Sequence, residues 1–286
     1  MSQYFLRRNR RMGVGETSSP TIDPLVTSWT YRVVNNGGAA PSNNTNTALS
    51  IFMRSLYDTD IYKKMIVVNP LVPDSLIASL TPLILVNGNS LWTNNSFVSG
   101  DLTVNGLTGN GTTKYLKTGI LASNVYSSVN DNGLTVYVSS GSNGNHYDVG
   151  TYQSNTQFNE LRSDMGGSTS YDCYNSSTGR LILTTPTTLG IGFYCSTRTN
   201  STNEYIYVAN SVFPFSQVAG PGGSPAGTLP TIEYYVFTLN NIGSPLYYST
   251  KCLSFVAFHH GLSSSEAQSL YNAIQTLRTA LGGGYV

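Results

Sequence analysis

The chain has 286 residues, and only 10% of them are charged, against roughly a quarter in ordinary globular domains. Glycine (28), tyrosine (20) and uncharged polar residues take the place of the missing charges, which is unlike the composition of a typical cytosolic enzyme. Contents of 40% hydrophobic and 11% aromatic residues exclude a disordered chain, because such chains lack the apolar groups that offset the entropy cost of ordering.

The three cysteines, Cys173, Cys195 and Cys252, have neither CxxC spacing nor a histidine cluster beside them. The sequence therefore predicts three buried free thiols rather than a zinc site or a disulfide set. No segment approaches the roughly 20 apolar residues of a membrane span, so we expect no membrane partner. No apolar segment follows the N-terminal arginines, so a cleaved secretory signal is not expected.

Residues 1–24 form a basic extended arm that contains Arg7, Arg8, Arg10 and Arg11 and little apolar surface. Without these four, the acidic residues (14) outnumber the rest of the 15 basic ones, so positive charge is concentrated in the arm. Such asymmetry is typical of a docking tail. Two interpretations stay open: an arm that docks on an acidic partner surface or on packaged nucleic acid, and a solvated terminus.

Residues 25–93 are predicted to form a small α/β segment packed on the following sheet. The run WTYRVVN is interpreted as a strand. After the loop NNGGAAPSNN we expect a helix that Thr47 caps. One face of this helix is apolar, with Ala48, Leu49, Phe52, Met53 and Leu56.

Residues 94–286 are predicted to form a β-sandwich. Short apolar runs alternate here with clusters of glycine, asparagine, serine and proline, a pattern typical of a sandwich or barrel. The predicted strands are DLTVNGL, KYLKTGI, LTVYVSS, RLILTT, LGIGFYC, EYIYVAN, IEYYVFTL and CLSFVAF. The segment SQVAGPGGSPAGTLP is predicted to be a long surface loop.

The C-terminal segment predicts one strongly specified helix, about residues 263–281. Ser263 and Glu266 have the spacing of a capping box, in which each side chain accepts a hydrogen bond from the backbone of the other. Apolar residues then recur at three- and four-residue spacing, and three glycines follow the last turn. The helix therefore buries one face against the sandwich.

Three segments resemble concanavalin A-like or laminin G-like jelly rolls of bacteriophage structural proteins. They are VNGLTGNGTTKYLKTGI, the opening WTYRVVNNGGAAPSNNTNTALSIF, and the closing CLSFVAFHHGLSSSEAQSLYNAIQTLRTALG. The closing segment is similar to the pattern LTxxEAxxLYxAVQxFQTxLG of those proteins. The resemblance spans roughly residues 28–284 and leaves the arm outside.

The resemblance implies a mainly β jelly-roll sandwich with a small N-terminal helical segment and one C-terminal helix. It also implies a non-enzymatic structural component of a phage particle, located in the capsid, collar or tail and anchored by the arm. The implied partners are other virion proteins and further copies of the chain, with a trimer as one arrangement. A nucleic-acid contact is expected only through the arm. The alternatives are a host-receptor or glycan-binding fibre module and, third, a glycan-cleaving enzyme.

Four tyrosines, Tyr234, Tyr235, Tyr247 and Tyr248, are the candidate contacts for a glycan or a subunit interface. Tyrosine is enriched in interfaces, and its ring can also stack on a sugar, so both interpretations stay open.

No catalytic residues are predicted, because a glycoside hydrolase needs two carboxylates about 5 to 10 Å apart. Glu160, Glu204, Glu233 and Glu266 stand singly, and the closest pair that includes a glutamate, Glu160 and Asp164, flanks a turn-like LRS segment. His259 and His260 are consecutive in a strand, so their side chains point to opposite faces and do not share a metal.

No cofactor and no metal are predicted. The oxygen-rich segments NDNG (130–133) and SNGNHYD, which ends at Asp148, are calcium candidates. They are better explained as turns, because Asn-Gly sequences favour positive φ.

Overall fold

The computed structural model describes residues 21–86, 88, 90–141, 144–165, 168–174, 180–183, 191–211, 213–223 and 227–283. The four arginines of the arm, Arg7, Arg8, Arg10 and Arg11, lie outside the described residues.

The described chain contains five α-helices and seventeen strands. The helices are α1 (Pro24–Asn35), α2 (Asn43–Asp58), α3 (Leu76–Leu80), α4 (Ala122–Val125) and α5 (Ser264–Ala280). The first nine strands are β1 (Met65–Asn69), β2 (Thr93–Asn95), β3 (Leu102–Thr103), β4 (Gly106–Thr108), β5 (Tyr115–Leu121), β6 (Asn132–Ser140), β7 (Val149–Ser154), β8 (Gln157–Arg162) and β9 (Thr169–Cys173). The others are β10 (Leu181–Leu183), β11 (Gly192–Arg198), β12 (Glu204–Ala209), β13 (Ser216–Ala219), β14 (Glu233–Val236), β15 (Leu239–Asn241), β16 (Ser244–Leu246) and β17 (Cys252–His259).

Two sheets form the sandwich. Sheet A has the order β13-β12-β11-β6-β17-β4-β3, with β1 also paired to β17, and sheet B has the order β10-β9-β8-β7-β14-β5-β2. Neighbouring strands are antiparallel, except that β15 runs parallel to β7 and forms a hairpin with β16. The prediction of a mainly β sandwich closed by one C-terminal helix is confirmed.

The helix α1 corrects the strand predicted for WTYRVVN. Asp23 caps it by accepting a hydrogen bond from the Leu25 N–H at 2.8 Å, and Pro24 occupies the first turn, where its missing N–H costs nothing. Val26, Trp29 and Val33 are buried at helical spacing. The β-branched Val33 of this run thus lies on the buried face of a helix, and tertiary packing overrides its strand propensity.

A second correction concerns the loop predicted after residue 215. Its first residues form the short strand β13, which pairs with β12 at the edge of sheet A. A strand at the edge of a sheet is hydrogen-bonded to a neighbour on one side only, so a short, irregular segment can occupy this position.

Helices cover the outer face of sheet A. Apolar side chains of α1, α2 and α5 join those of sheet A in one buried cluster, in which the ring of Phe52 meets that of Phe255 edge to face at 5.7 Å. A second cluster fills the space between the sheets, where Val136 of sheet A and Leu161 of sheet B both lie. The outer face of sheet B carries only a small cluster of Tyr147, Phe158 and Leu239 among the described residues.

The capping box of α5 forms as predicted. Ser263 Oγ accepts from the Glu266 N–H at 3.3 Å, and Glu266 Oε2 accepts from the Ser263 N–H at 2.7 Å. Lys64 Nζ adds an ion pair of 2.7 Å to the same carboxylate, which ties the helix start to the chain before β1. The cap therefore fixes both the start of α5 and its place over sheet A.

We expect Ser263→Ala to lower the free energy of unfolding by about 1 kcal/mol, because an N–H of the first turn loses its acceptor. Denaturant unfolding followed by circular dichroism measures the change. Thr276→Ala, at an exposed position in the middle of the same helix, is the control, and we expect it to change stability by less than about 0.5 kcal/mol. Equal effects of the two variants would contradict the role of the cap.

The closing strand ends at His259, which is fully buried. Its Nε2 lies 2.9 Å from Thr135 Oγ1, and its Nδ1 lies 2.8 Å from the His260 carbonyl oxygen. Gly133 leaves room for the ring, since a Cβ there would lie 2.2 Å from the ring Cε1 of His259. Burial lowers the pKa of His259 to about 4, so the folded protein holds the neutral form.

Stability should fall on acidification because of His259. Its pKa lies below the ordinary value of 6.5, so the unfolded chain binds the proton first and stability is lost between about pH 6.5 and 4. We expect about 2 kcal/mol of this loss between pH 7 and pH 5, measured by urea unfolding. His259→Gln should remove that part of the pH dependence, whereas His146→Gln should keep it. An unchanged slope in His259→Gln would contradict the assignment.

Candidate functional site

The outer face of sheet B holds a cluster of polar and aromatic side chains. On β8, Leu161 points into the core between the sheets, so its neighbours Glu160 and Arg162 point outward. On β9, Tyr171 bonds across the core to Asn132 of sheet A at 2.6 Å, which turns Asp172 outward. Alternation along two neighbouring strands thus gathers three charged residues on one face.

An ion-pair network joins these charges. Glu160 Oε2 accepts from Arg162 Nε at 2.5 Å, and Glu160 Oε1 lies 3.3 Å from Arg180 Nε and accepts from Ser170 Oγ at 3.2 Å. Asp172 Oδ2 lies 3.4 Å from the same Arg180 nitrogen. Both carboxylates are buried, and both oxygens of Glu160 have partners. The network links β8, β9 and the segment before β10.

The carboxylate that stands opposite Glu160 is Asp172, its antiparallel neighbour, and not Asp164. Glu160 lies within β8 rather than beside a turn, and Asp164 lies beyond the end of that strand. Sequence proximity was therefore a poor guide, because the pairing of β8 with β9 decides which carboxylates meet.

Tyr147 connects this network to an exposed ring. The guanidinium of Arg162 lies 3.8 Å from the centre of the Tyr147 ring and donates a hydrogen bond to its hydroxyl. Burial, and secondarily the charge of Glu160, raises the pKa of Tyr147 well above its usual range. Tyr247 stacks on Tyr147 with ring centres 5.7 Å apart and planes inclined by 30°.

Tyr247 stands out because it is both exposed and strained. Its side chain is 51% exposed, and its φ of 59° lies in the left-handed region that bulky residues rarely adopt. The Tyr147 N–H donates to the Tyr247 carbonyl at 3.2 Å, which holds this backbone in place. The conformation costs on the order of 1–3 kcal/mol, and such strain is found preferentially at binding sites.

A second aromatic group lies on β5 and β14. The Tyr115 ring lies 5.0 Å from the ring of Tyr235 and 5.9 Å from that of Tyr248. Lys117 Nζ lies 5.7 Å from the centre of the Tyr235 ring. Because Tyr247 and Tyr248 are consecutive, they connect the two groups. We call the five residues Tyr115, Tyr147, Tyr235, Tyr247 and Tyr248 the tyrosine face.

Three of the four tyrosines predicted from the sequence belong to the tyrosine face. The expectation that Tyr234 is exposed was wrong: it points between the sheets, is fully buried, and has its hydroxyl 3.1 Å from that of Tyr174. Alternation on β14 turns Tyr235 to the outer side, where it is almost entirely covered. Tyr247 is exposed and Tyr248 is half-buried, so these two offer most of the accessible ring surface.

Sequence reasoning missed Tyr115, Tyr147 and Arg162. Tyr115 lies in KYLKTGI, which was predicted as a strand, but nothing local to it marks its ring as part of a cluster. Tyr147 and Arg162 lie beside or on the polar strands VGTYQS and QFNELR, which apolar periodicity does not mark. The signal that was present is the order Phe158, Glu160, Arg162, which places one aromatic and two opposite charges on a single strand face.

Two calcium candidates have other roles in the structure. Asp148 is buried and lies 3.2 Å from Lys251 Nζ, and its Oδ2 accepts from the Ser163 N–H at 2.5 Å. In the other segment, Asn132 begins β6 and points into the core, where it accepts from Tyr171. The described residues contain no group of three or more His, Cys, Asp or Glu side chains arranged to hold a metal ion.

The three cysteines are free and buried, as predicted. Burial raises the pKa of Cys173 and that of Cys195 to about 12, so both remain protonated thiols at neutral pH. A reactive cysteine needs the opposite shift. Separately, none of the helices in the described part of the chain is long and apolar enough to cross a membrane.

No protein-family model matches the sequence, and no curated protein matches it. Several solved structures are similar. Trypanosoma rangeli sialidase in complex with sialic acid aligns over 86% of this chain and 37% of its own, with 14% identity and a TM-score of 0.44. Domain 4 of AbnA, a GH43 extracellular arabinanase from Geobacillus stearothermophilus in complex with arabinotriose, aligns over 73% of this chain and 98% of its own, with 13% identity and a TM-score of 0.41.

These matches correct two expectations. The prediction of a non-enzymatic structural component of a phage particle is contradicted, because the matched structures are a sialidase and an arabinanase domain. The prediction that the protein is not an enzyme is contradicted by the same finding. The chain spans less than two fifths of the length of the sialidase chains. At these identities and TM-scores the likeness does not assign an activity to this chain, so the function has to be argued from its own residues.

We expect Glu160→Gln to lower the free energy of unfolding by about 3 kcal/mol, because Arg162 and Arg180 keep their charges after the shared carboxylate is removed. Urea unfolding measures the change. Asp58→Asn, which alters an exposed carboxylate at the end of α2, is the matched control and should change stability by less than about 0.5 kcal/mol. A stable Glu160→Gln protein would show that the network does not hold this face together.

Proposed function

We propose that the protein binds glycans through the tyrosine face. The observation that supports this proposal is the exposed ring of Tyr247, whose backbone has a positive φ. The ring stacks on Tyr147, and Arg162 contacts the Tyr147 ring. Flat aromatic rings offer a large apolar surface with a polar edge, which matches the C–H faces and hydroxyl groups of a sugar ring.

The position of the tyrosine face supports the proposal. Helices α1, α2 and α5 cover the outer face of sheet A, so the outer face of sheet B is the broad sheet surface left for a ligand. The hydroxyl of Tyr235 donates to the Gly243 carbonyl at 3.4 Å, and that of Tyr147 accepts from Arg162. The platform is therefore ordered before a ligand arrives, which lowers the entropy cost of binding.

Contact with another protein is a second candidate for the same surface. Ile242 and Leu246 of the β15–β16 hairpin are 65% and 40% exposed and lie in the same hairpin segment as Tyr247. Exposed apolar side chains beside aromatic ones are typical of subunit interfaces. Location in a virion, partnership with virion proteins, oligomerisation and the relation to phage jelly rolls stay predictions from the sequence.

Tyr247→Ala should weaken glycan binding by about tenfold, because about 1.4 kcal/mol of stacking and burial is lost. A glycan array with the full chain identifies a ligand, and calorimetry then measures its dissociation constant. Tyr31→Ala is the matched control, since Tyr31 is 69% exposed on α1, on the opposite layer of the molecule.

Three outcomes are informative. Loss of affinity in Tyr247→Ala but not in Tyr31→Ala supports the proposal. Equal affinity of both variants and wild type places binding elsewhere and contradicts it. Absence of any array ligand, together with a concentration-dependent dimer or trimer in sedimentation that Tyr247→Ala abolishes, favours the protein-interface candidate instead.

A further inference from the structure

We infer that the tyrosine face prefers acidic glycans, with Lys117 pairing with a carboxylate or sulfate group of the sugar. This inference rests on the proposed function and names its ligand class. It follows from how charges are distributed over the outer face of sheet B.

The arginines of this face have their charges satisfied within the protein. Arg162 pairs with Glu160 at 2.5 Å, and its side chain is almost fully buried. Arg180 contacts both Glu160 and Asp172, at 3.3 and 3.4 Å. Neither arginine offers an uncompensated charge to a ligand, because each already faces a carboxylate.

Lys117 differs from both arginines. It is half-buried on β5, directly opposite Tyr235 in the strand register, and within the described residues it forms no ion pair. Lys114, three residues earlier, pairs with Asp101 and is thereby neutralised. The ammonium group of Lys117 instead lies beside the Tyr235 ring, where a cation–π contact holds it without cancelling its charge.

The nearest acidic residue on the same pair of strands is Glu233, and among the described residues it forms no ion pair with Lys117. Glu233 stands opposite Leu121 and lies two residues before Tyr235 on β14. Its Oε2 accepts from the Gly119 N–H at 2.7 Å, which fixes the carboxylate there. The end of the face formed by Tyr115, Tyr235 and Tyr248 therefore combines ring surface with one positive charge that is not engaged in an ion pair.

This combination suits a sugar that carries a negative group. The sugar ring would stack on tyrosine while its carboxylate or sulfate pairs with the ammonium group, whose three donors and flexible stem adapt to either anion. A half-exposed ion pair is worth about a two- to fivefold gain in affinity, and salt screens it.

Calorimetry with the full chain tests the inference on three polymers: polygalacturonate as a carboxylated glycan, heparin as a sulfated one and galactan as a neutral one. We expect wild type to bind at least one acidic polymer several-fold more tightly than galactan at 50 mM NaCl, with the difference largely lost at 500 mM. Lys117→Gln should remove the preference, Lys117→Arg should keep it, and Lys63→Gln should leave it unchanged, since Lys63 is an exposed lysine on the helical side. Comparing the two acidic polymers shows which anion is preferred.

Equal affinity for acidic and neutral polymers, or a preference that survives Lys117→Gln, overturns the acidic preference and leaves glycan binding intact. If the chain binds none of the polymers and no array glycan, the proposed function fails together with this inference. Thermal unfolding of each variant controls for folding, and a Lys117→Gln protein that melts like wild type but loses only acidic binding supports the assignment.

Discussion

Apolar packing of helices on sheet A determines which outer face of the sandwich is exposed to solvent. Phe52 of α2 and Phe255 of β17 meet edge to face, and Tyr137 of β6 lies beneath the guanidinium of Arg278 from α5 at 4.2 Å. These contacts remove the outer face of sheet A from solvent. A sandwich has two outer faces. Because helices cover that of sheet A, the outer face of sheet B is the one that presents polar and aromatic side chains.

Three of the ion pairs between described residues are buried. Glu160 with Arg162, Glu204 with Arg198 and Asp148 with Lys251 are all within 3.2 Å and nearly or fully inaccessible. Burying such pairs gives little net stability, but breaking one leaves an isolated charge in a medium of low polarity. The pair of Arg198 on β11 with Glu204 on β12 therefore penalises any register of these two strands that separates its partners. On sheet B, Glu160 and Arg162 lie on the same strand, and Arg180 ties β8 to β9 by contacting both Glu160 and Asp172. Arg162 in turn donates a hydrogen bond to Tyr147.

Elements whose signals lie within a few residues of one another could be predicted from the sequence, whereas elements that depend on contacts between distant residues could not. The helix α5 could be predicted because its signals are local: Ser263 and Glu266 bond to each other's backbone, and its apolar residues recur within a few turns. The helix α1 was mistaken for a strand because Val33 and Val34 favour strands, whereas the Asp23 cap and the buried Val26 and Trp29 were not weighed. The strands β7 to β9 lacked an apolar signal, since β7 (VGTYQS) is mostly polar and the outward residues Glu160, Arg162 and Asp172 of β8 and β9 are charged yet buried. Tyr247 was a candidate, but its partner Tyr147 was not, because only the folded sheet brings them together.

The hairpin of β15 and β16 shows how the platform is held in a costly conformation. Asn240 donates to the Glu233 carbonyl at 2.7 Å and accepts from the Gly243 N–H at 2.7 Å, so one side chain closes the turn and anchors it to β14. Thr238 donates to the Leu246 carbonyl at 2.7 Å, just before Tyr247. Ile242 and Tyr247, at the tip and end of this hairpin, both have positive φ, at 50° and 59°. A fold selected only for stability would place glycine or asparagine at such positions. Buried Leu71, Tyr174 and Phe237 also have positive φ, so strain alone does not mark a binding site. What distinguishes Ile242 and Tyr247 is that their apolar and aromatic side chains are exposed on a backbone that three hydrogen bonds hold in place.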